Sequence, residues 1–332
     1  MARRTLITGA NGFIGRHLVQ MAVDTGRDAG VALILPGTPP IEAPGWEWRA
    51  LPLSDVAALR AAMIGCDTVV HLAGNMFGHS PARYRAANVE TIRHVLTAAR
   101  GLPAPPRLIY VSSVAAVGPA RAGHPLSEEA RSQPVCLYGR SKLAGEKVLL
   151  ADPVSPGGQK GRHLVVRLCS VYGPGDPCFL DLFRWAERGW FPRLATARKR
   201  FNLALVTDIA RALWRVVDED RLDGILNVGN PTICTDHDLA AGLGDAAGRA
   251  PLRSLFLPPG ATRLLGRLYD MVETVTGRPP LMSSGKAREM SFSDWLQDFS
   301  RQQTLLPGLT WSPLAQGIAL TRRWYSQVGW LP

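Results

Sequence analysis

The chain is 332 residues long, 46% hydrophobic and 20% charged, which is enough to bury a core without disulfides and excludes disordered and fibrous classes. Basic residues outnumber acidic ones by 38 to 27, a net charge of +11, but only five are lysines and the 33 arginines are scattered. The one dense run, Arg198-Lys199-Arg200, has no aromatic ladder around it, so no nucleic-acid partner is expected.

In chain order, Thr5-Leu-Ile-Thr8 reads as a short apolar strand with no apolar leader before it, so the chain is expected to start inside its first strand. Gly9-Ala-Asn-Gly12-Phe-Ile-Gly15 follows, and then Arg16-His-Leu-Val-Gln-Met-Ala at helical spacing. Val31 to Leu35 reads as a second buried strand, ended by Pro36-Gly37. Ser54 is placed to cap a helix beginning at Asp55. A strand over Thr68 to Leu72, a helix around Asn88 to Arg100 and a strand over Arg107 to Val111 come next. A long helix begins near Tyr138, and a strand covers His163 to Arg167. Strands alternating with helices predict an α/β fold, a Rossmann-type doubly wound parallel sheet. Beyond Gly173 the alternation weakens, but two capped helices remain, after Thr207 and after Thr235. Thr235-xx-Asp238 resembles a capping box, and Asp208 and Thr235 read as caps rather than catalysts.

The expected organisation is a dinucleotide-binding domain over 1–172 with a return segment near 203–230. A smaller, mostly helical substrate-binding part covers 173–202 and 231–332, packed at the carboxyl ends of the strands. No stretch reaches 18 uninterrupted apolar residues, so no membrane span is predicted. Cys66, Cys136, Cys169, Cys178 and Cys234 contain no CxxC and fit reduced thiols in the cytoplasm. The histidines lack metal-ligand spacing, so no metal is expected.

Gly9, Gly12 and Gly15 lie between a strand and a helix, where absent side chains let a pyrophosphate approach the helix N-terminus. Leu35-Pro36-Gly37-Thr38 supplies neither the carboxylate usual for NAD nor the arginine usual for NADP, so the cofactor is NAD or NADP, unresolved. Tyr138 and Lys142 stand four apart on one helix face, a spacing that lets an ammonium favour a phenolate. Ser113 at a strand end can orient a substrate oxygen.

These segments resemble the extended short-chain dehydrogenase/reductases of the epimerase/dehydratase superfamily. The likeness extends to His71-Leu-Ala-Gly74, Asn88-Val89, Arg167 to Pro174, Val206-Thr-Asp208 and Asn227-Val-Gly229, nearly end to end. The resemblance implies Tyr138 as acid/base, Lys142 on the nicotinamide ribose and Ser113 on the substrate oxygen. It implies cofactor contacts at Gly9, Asn11, Gly12, Phe13, Ile14, Gly15, Leu53, Leu72, Ala73, Gly74 and Asn88, and at Leu168 and Val171.

The departures narrow the chemistry. Leu51-Pro52-Leu53 lacks the family's adenine-binding aspartate, and Ser113-Val114-Ala115 lacks the acids of sugar-nucleotide dehydratases. Ser170 stands where epimerases carry asparagine, leaving Arg193, Arg198 or Arg200 to compensate at a diphosphate. Asn75 to Gly78 and Cys178 to Trp185 are apolar and aromatic and suit a lipophilic ligand. The pattern is similar to the hydroxysteroid dehydrogenase and flavanonol reductase branch. It implies an NAD(P)-dependent oxidoreductase acting on a secondary alcohol or ketone of a lipophilic small molecule, steroid-, flavanonol- or hydroxyacyl-like. The alternatives are a nucleotide-sugar epimerase and a non-catalytic dinucleotide sensor. A homodimer is compatible with the resemblance.

Overall fold

A computed structural model describes residues 3–27, 30–121, 123–152, 163–194, 198–258, 260–261, 264, 266–268, 270–271 and 284–332. Seven parallel strands form the central sheet: β1 Thr5–Thr8, β2 Val31–Ile34, β3 Glu47–Ala50, β4 Thr68–His71, β5 Arg107–Ser113, β6 Leu164–Leu168 and, later in the chain, Gly224–Val228. The intervening strands are β7 Ser170–Tyr172, β8 Trp190–Leu194 and β9 Arg200–Leu205, which makes Gly224–Val228 β10. The spatial order is β10-β6-β5-β4-β1-β2-β3, so the winding direction reverses between β1 and β4. In open α/β sheets, ligands bind in the crevice at the carboxyl ends of the strands where this reversal occurs.

The inner strands are buried on both faces because helices cover each side, whereas the edge strand β3, Glu-Trp-Arg-Ala, is only half-buried. Successive side chains alternate between two cores. Leu6 packs in the cluster with Leu59, Ile92 and Leu149, while Ile7 packs in the opposite one with Leu18, Val166 and Ile209. Helices α1 Phe13–Asp24 and α7 Val206–Asp218 cover one face. On the other lie α2 Val56–Met63, α4 Thr91–Arg100 and α5 Leu137–Leu150, with α3 Pro81–Arg85 leading into α4 through a π-turn, Ala86–Glu90.

The remaining strands, β11 Ile233–Thr235, β12 Arg253–Leu257 and β13 Asp294–Trp295, join β7, β8 and β9 in two small sheets. A third core around Tyr172, Phe183, Leu243, Ile318 and Tyr325 unites α6 Leu180–Glu187, α8 Asp236–Ala247 and the helix Leu314–Gln327.

Several boundaries differ from the sequence reading. The α2 cap is Asp55, whose carboxylate accepts from Ala58 N at 2.9 Å, not Ser54. Helix α7 starts after Leu205 with no side-chain cap. Asp208 lies inside its first turn, ion-paired with Arg211 (2.9 Å) and accepting from Ser312 N (2.7 Å). Thr235, by contrast, forms a complete capping box with Asp238.

Candidate active site

The site starts at the glycine turn after β1. Gly9 has φ +69°, a left-handed backbone that favours glycine, and a β-carbon there would lie 3.0 Å from Ala73 Cα. The turn therefore presses on Leu72 and Ala73, which follow β4 across the reversal point. A β-carbon on Gly15 would lie 2.9 Å from Ala10 Cα, so the third glycine lets α1 close against the turn. Gly12 is the α1 N-cap and offers no side-chain bond to the first-turn amides, leaving them free for an anion. Arg16 adds a cation beside the turn: it donates to Asn11 O (3.1 Å), while its buried Nε has no hydrogen-bond partner. These donors fit a pyrophosphate.

Polar side chains brace the turn from below. Thr91 donates its hydroxyl to Ala87 O (2.7 Å), so the His71 Nε2–Thr91 contact at 3.3 Å needs the proton on His71. Nδ1 is then the acceptor for Thr8 Oγ1 at 2.8 Å. Burial and then the Lys142 charge push the His71 pKa down to about 3, so this brace stays neutral. On the far side, Asn11 donates to Thr38 Oγ1 (2.9 Å) and Pro39 O, closing the loop after β2. Leu53 is buried in the apolar cluster beneath α2 and α4.

Asn88 is wholly buried in the π-turn, and its side chain ties three segments together. It accepts from Asn75 N and donates to Asn75 O and Ser141 Oγ, each at 2.8 Å. A β-carbon on Gly74 would come 2.7 Å from Asn88 Oδ1 and 3.8 Å from Lys142 Nζ, so Gly74, Asn88 and Lys142 meet here. Leu168 closes β6 in the core, and Val171 lies half-buried in β7 beyond it.

Helix α5 carries Tyr138 and Lys142. Two glycines let it lie close to β5: a β-carbon on Gly139 would sit 2.9 Å from the Ala115 carbonyl carbon, and one on Gly145 2.6 Å from Asn88 O. Lys142 is buried, donates to Val111 O at 2.6 Å and lies over the Tyr110 ring at 4.3 Å. Burial pulls its pKa down to about 7, partly offset by Glu146 one turn on. Glu146 in turn accepts from Ser112 Oγ (2.5 Å) and pairs with buried Arg167 at 2.7 Å.

Burial raises the Tyr138 phenol to about 12, and the hydroxyl of Ser113, at the end of β5, opposes that rise by favouring the phenolate. The nearest strong charges on the phenol are Glu289, which raises its pKa, and Lys286, which lowers it. Lys142, the cation expected from sequence to act on Tyr138, instead faces Val111 O and the Tyr110 ring.

The helix Ser284–Met290 brings in residues that the sequence did not flag. Glu289 accepts from the Cys136 thiol at 2.7 Å and pairs with Lys286 at 3.1 Å. Cys136 is the α5 N-cap, accepting from Gly139 N, so this cluster lies two residues from Tyr138. Asp176 is buried, with Oδ2 unpartnered, and burial raises its carboxyl to about 6. No spacing rule links positions 136, 176 and 289; only the folded chain does. Among the described residues, no His, Cys, Asp and Glu cluster could hold a metal ion.

A glycine cradle at the reversal point, with a serine at an adjacent strand end and a tyrosine and lysine on the helix packed beside it, defines a nicotinamide-dependent enzyme of the extended short-chain dehydrogenase/reductase type. The chain belongs to the NAD dependent epimerase/dehydratase family, which it matches over residues 5–229. It is 29% identical over 336 residues to a ceramide reductase of Caulobacter vibrioides (strain NA1000 / CB15N), covering 98% of this chain and 95% of that protein. It is 33% identical over 228 residues to a dTDP-6-deoxy-L-talose 4-dehydrogenase (NAD(P)(+)) of Kitasatospora kifunensis, covering 67% of this chain and 69% of that one. The solved structure of MoeE5 in complex with UDP-glucuronic acid and NAD shares the fold, with a TM-score of 0.76 at 24% identity over 98% of this chain and 99% of that one. The cofactor is accordingly a nicotinamide dinucleotide.

Proposed function

We propose that the protein is an NAD(P)-dependent reductase interconverting a ketone and a secondary alcohol on a lipophilic molecule, a long-chain amide of the ceramide type. The carrying observation is that helix α5 brings Tyr138 and Lys142 to the end of β5, where the Ser113 hydroxyl favours the Tyr138 phenolate and Lys142 donates to Val111 O. End-to-end similarity to a ceramide reductase supports the substrate class, as does the exposed Met76 in the stretch Asn75 to Gly78, whereas the apolar residues Leu180 and Phe183 of Cys178 to Trp185 are packed into the third core. We read 1–172, with the return near 203–230, as the dinucleotide-binding half and the rest as the substrate half.

In this reading Gly9, Asn11, Gly12, Phe13, Ile14 and Gly15 line the pyrophosphate, and Leu53 borders the adenine. Leu72, Ala73, Gly74 and Asn88 run along the nicotinamide side, and Leu168 and Val171 meet its carboxamide. Lys142, with one ammonium proton on Val111 O, has donors left for ribose hydroxyls. Bound there, the reduced nicotinamide supplies a hydride to the carbonyl carbon, and the oxidised form takes one from the alcohol. Ser113 holds the carbonyl oxygen, and Tyr138 gives it the phenolic proton as the C–H bond forms. The products are a secondary alcohol and a phenolate that Ser113 stabilises until solvent returns the proton.

A nucleotide-sugar substrate is less well supported. One of the three arginines offered for a diphosphate is hydrogen-bonded elsewhere, Arg200 to Asp294 at 2.9 Å, while Arg193 lies 3.6 Å from Asp236 with its buried Nε unpartnered. The test is to follow nicotinamide absorbance with a long-chain keto-amide and, separately, with UDP- and dTDP-sugars. Turnover of the keto-amide is expected; turnover of nucleotide sugars alone would overturn the proposal.

A further inference from the structure

The described residues between 260 and 271 are helical and carry their apolar side chains outward. Leu264, Leu268 and Met271 follow one another at steps of four and three, which puts them on one face, and they are 60%, 49% and 65% exposed. Gly266 lies on the opposite face and is buried. A β-carbon there would sit 2.9 Å from Ser284 Cα and 3.3 Å from Ala287 Cβ. The helix thus packs through its glycine against Ser284–Met290, whose Glu289 bonds Cys136 beside Tyr138. On nearby β12, Phe256 is 63% exposed.

The segment carrying this surface is mostly basic, with Asp270 on the helix accepting from Ser284 N. Between Asp245 and Asp270 the sequence contains Arg249, Arg253, Arg263 and Arg267 and no carboxylate, in a chain of net charge +11. A solvent-facing apolar stripe flanked by arginine is how a helix lies in the headgroup region of an anionic bilayer.

We propose that Phe256, Leu264, Leu268 and Met271, flanked by Arg253 and Arg267, dock the protein on an anionic membrane surface, bringing the Tyr138 side of the molecule to the lipid. Docking stands on these residues alone; that the membrane also delivers substrate rests on the lipid-reductase reading above. It needs no spanning segment, and no helix among the described residues is long and apolar enough to be one.

The test is co-sedimentation of the full chain with phosphatidylglycerol–phosphatidylcholine vesicles and with phosphatidylcholine alone. Binding is expected only to the anionic vesicles and is expected to weaken as salt rises. The triple variant Phe256→Ser, Leu264→Ser, Leu268→Ser should lower vesicle affinity about tenfold or more, with its circular dichroism and its turnover of a water-soluble ketone unchanged. Arg253→Glu with Arg267→Glu, which leaves the apolar stripe intact, should lose the anionic preference. A wild-type protein that stays in the supernatant, or variants that bind equally, would overturn docking. So would a wild-type dimer that the triple variant converts to monomer, since the face would then be covered by a second copy. Because vesicle binding is read without turnover, docking can fail while keto-amide reduction stands, and the reverse.

Discussion

In the proposed reaction Tyr138 gives up a proton and later recovers it, and its surroundings make the first step the harder one. Burial raises the phenol to about 12, so it is protonated throughout the neutral range. Ketone reduction, which uses the protonated form, should therefore be nearly flat from pH 6 to about 9. Alcohol oxidation, which uses the phenolate, should climb across the same interval, and initial rates in both directions check this. Tyr138→Phe should lower turnover by about 10² to 10⁴ while leaving nicotinamide binding by fluorescence titration unchanged. Asp176 gives a prediction about stability instead. Its folded pKa, about 6, lies above the ordinary carboxyl value, so the folded state binds more protons than the unfolded one between about pH 4 and 6. Stability falls as pH rises through that window, and above it the full penalty of a buried, half-partnered carboxylate remains. Asp176→Asn should therefore raise the melting temperature at pH 8 by more than at pH 5, as seen by scanning calorimetry.

Helix α5 illustrates an element shaped by the site. Glycine costs about 1 kcal/mol relative to alanine inside a helix. Gly139 and Gly145 are nevertheless where α5 touches Ala115, Tyr110 and Asn88. Gly145→Ala should thus destabilise the protein despite its better helix propensity, and a lower melting midpoint would show it. Helix α8 is governed by local chemistry: Thr235→Ala removes the hydroxyl half of the capping box, leaving the Thr235 N–H on Asp238, and should cost about 1 kcal/mol in urea unfolding. That cap was readable from sequence because its partners stand three residues apart. The α2 start was not, since Ser54 and Asp55 are both good caps and only the folded chain shows which one reaches Ala58 N. Strand β3 was missed because it is a four-residue edge strand in which Glu47 and Arg49 leave no apolar run, too short for its alternation to register, and Glu47 pairs with Arg4 at 2.6 Å. The glycine turn and the Ser113, Tyr138 and Lys142 set were legible because each sits at a fixed offset from a strand or within one helical turn. Cys136, Asp176, Lys286 and Glu289 were not, because long-range folding alone brings them together.

Across the whole molecule, the sheet reversal between β1 and β4 sets the cofactor crevice, and the later segments wall its open side. Lys286 and Glu289 from the helix Ser284–Met290 act on Tyr138, and Lys286 also acts on Asp176 and Cys178 from the loop before α6. Arg27 with Asp218, and Arg107 with Val216 O and Leu222 O, tie the amino-terminal strands and helices to the return segment, so cofactor and substrate groups rest on one frame. The central claim is that this frame carries hydride exchange on a lipid ketone through Tyr138. The most direct measurement follows oxidation of NADH and NADPH by a detergent-dispersed long-chain keto-amide, with wild type and Tyr138→Phe in parallel. The wild type is expected to form the secondary alcohol stoichiometrically, and the variant to lose nearly all of this activity. Equal rates in the two proteins, or cofactor binding with no ketone reduced, would contradict it.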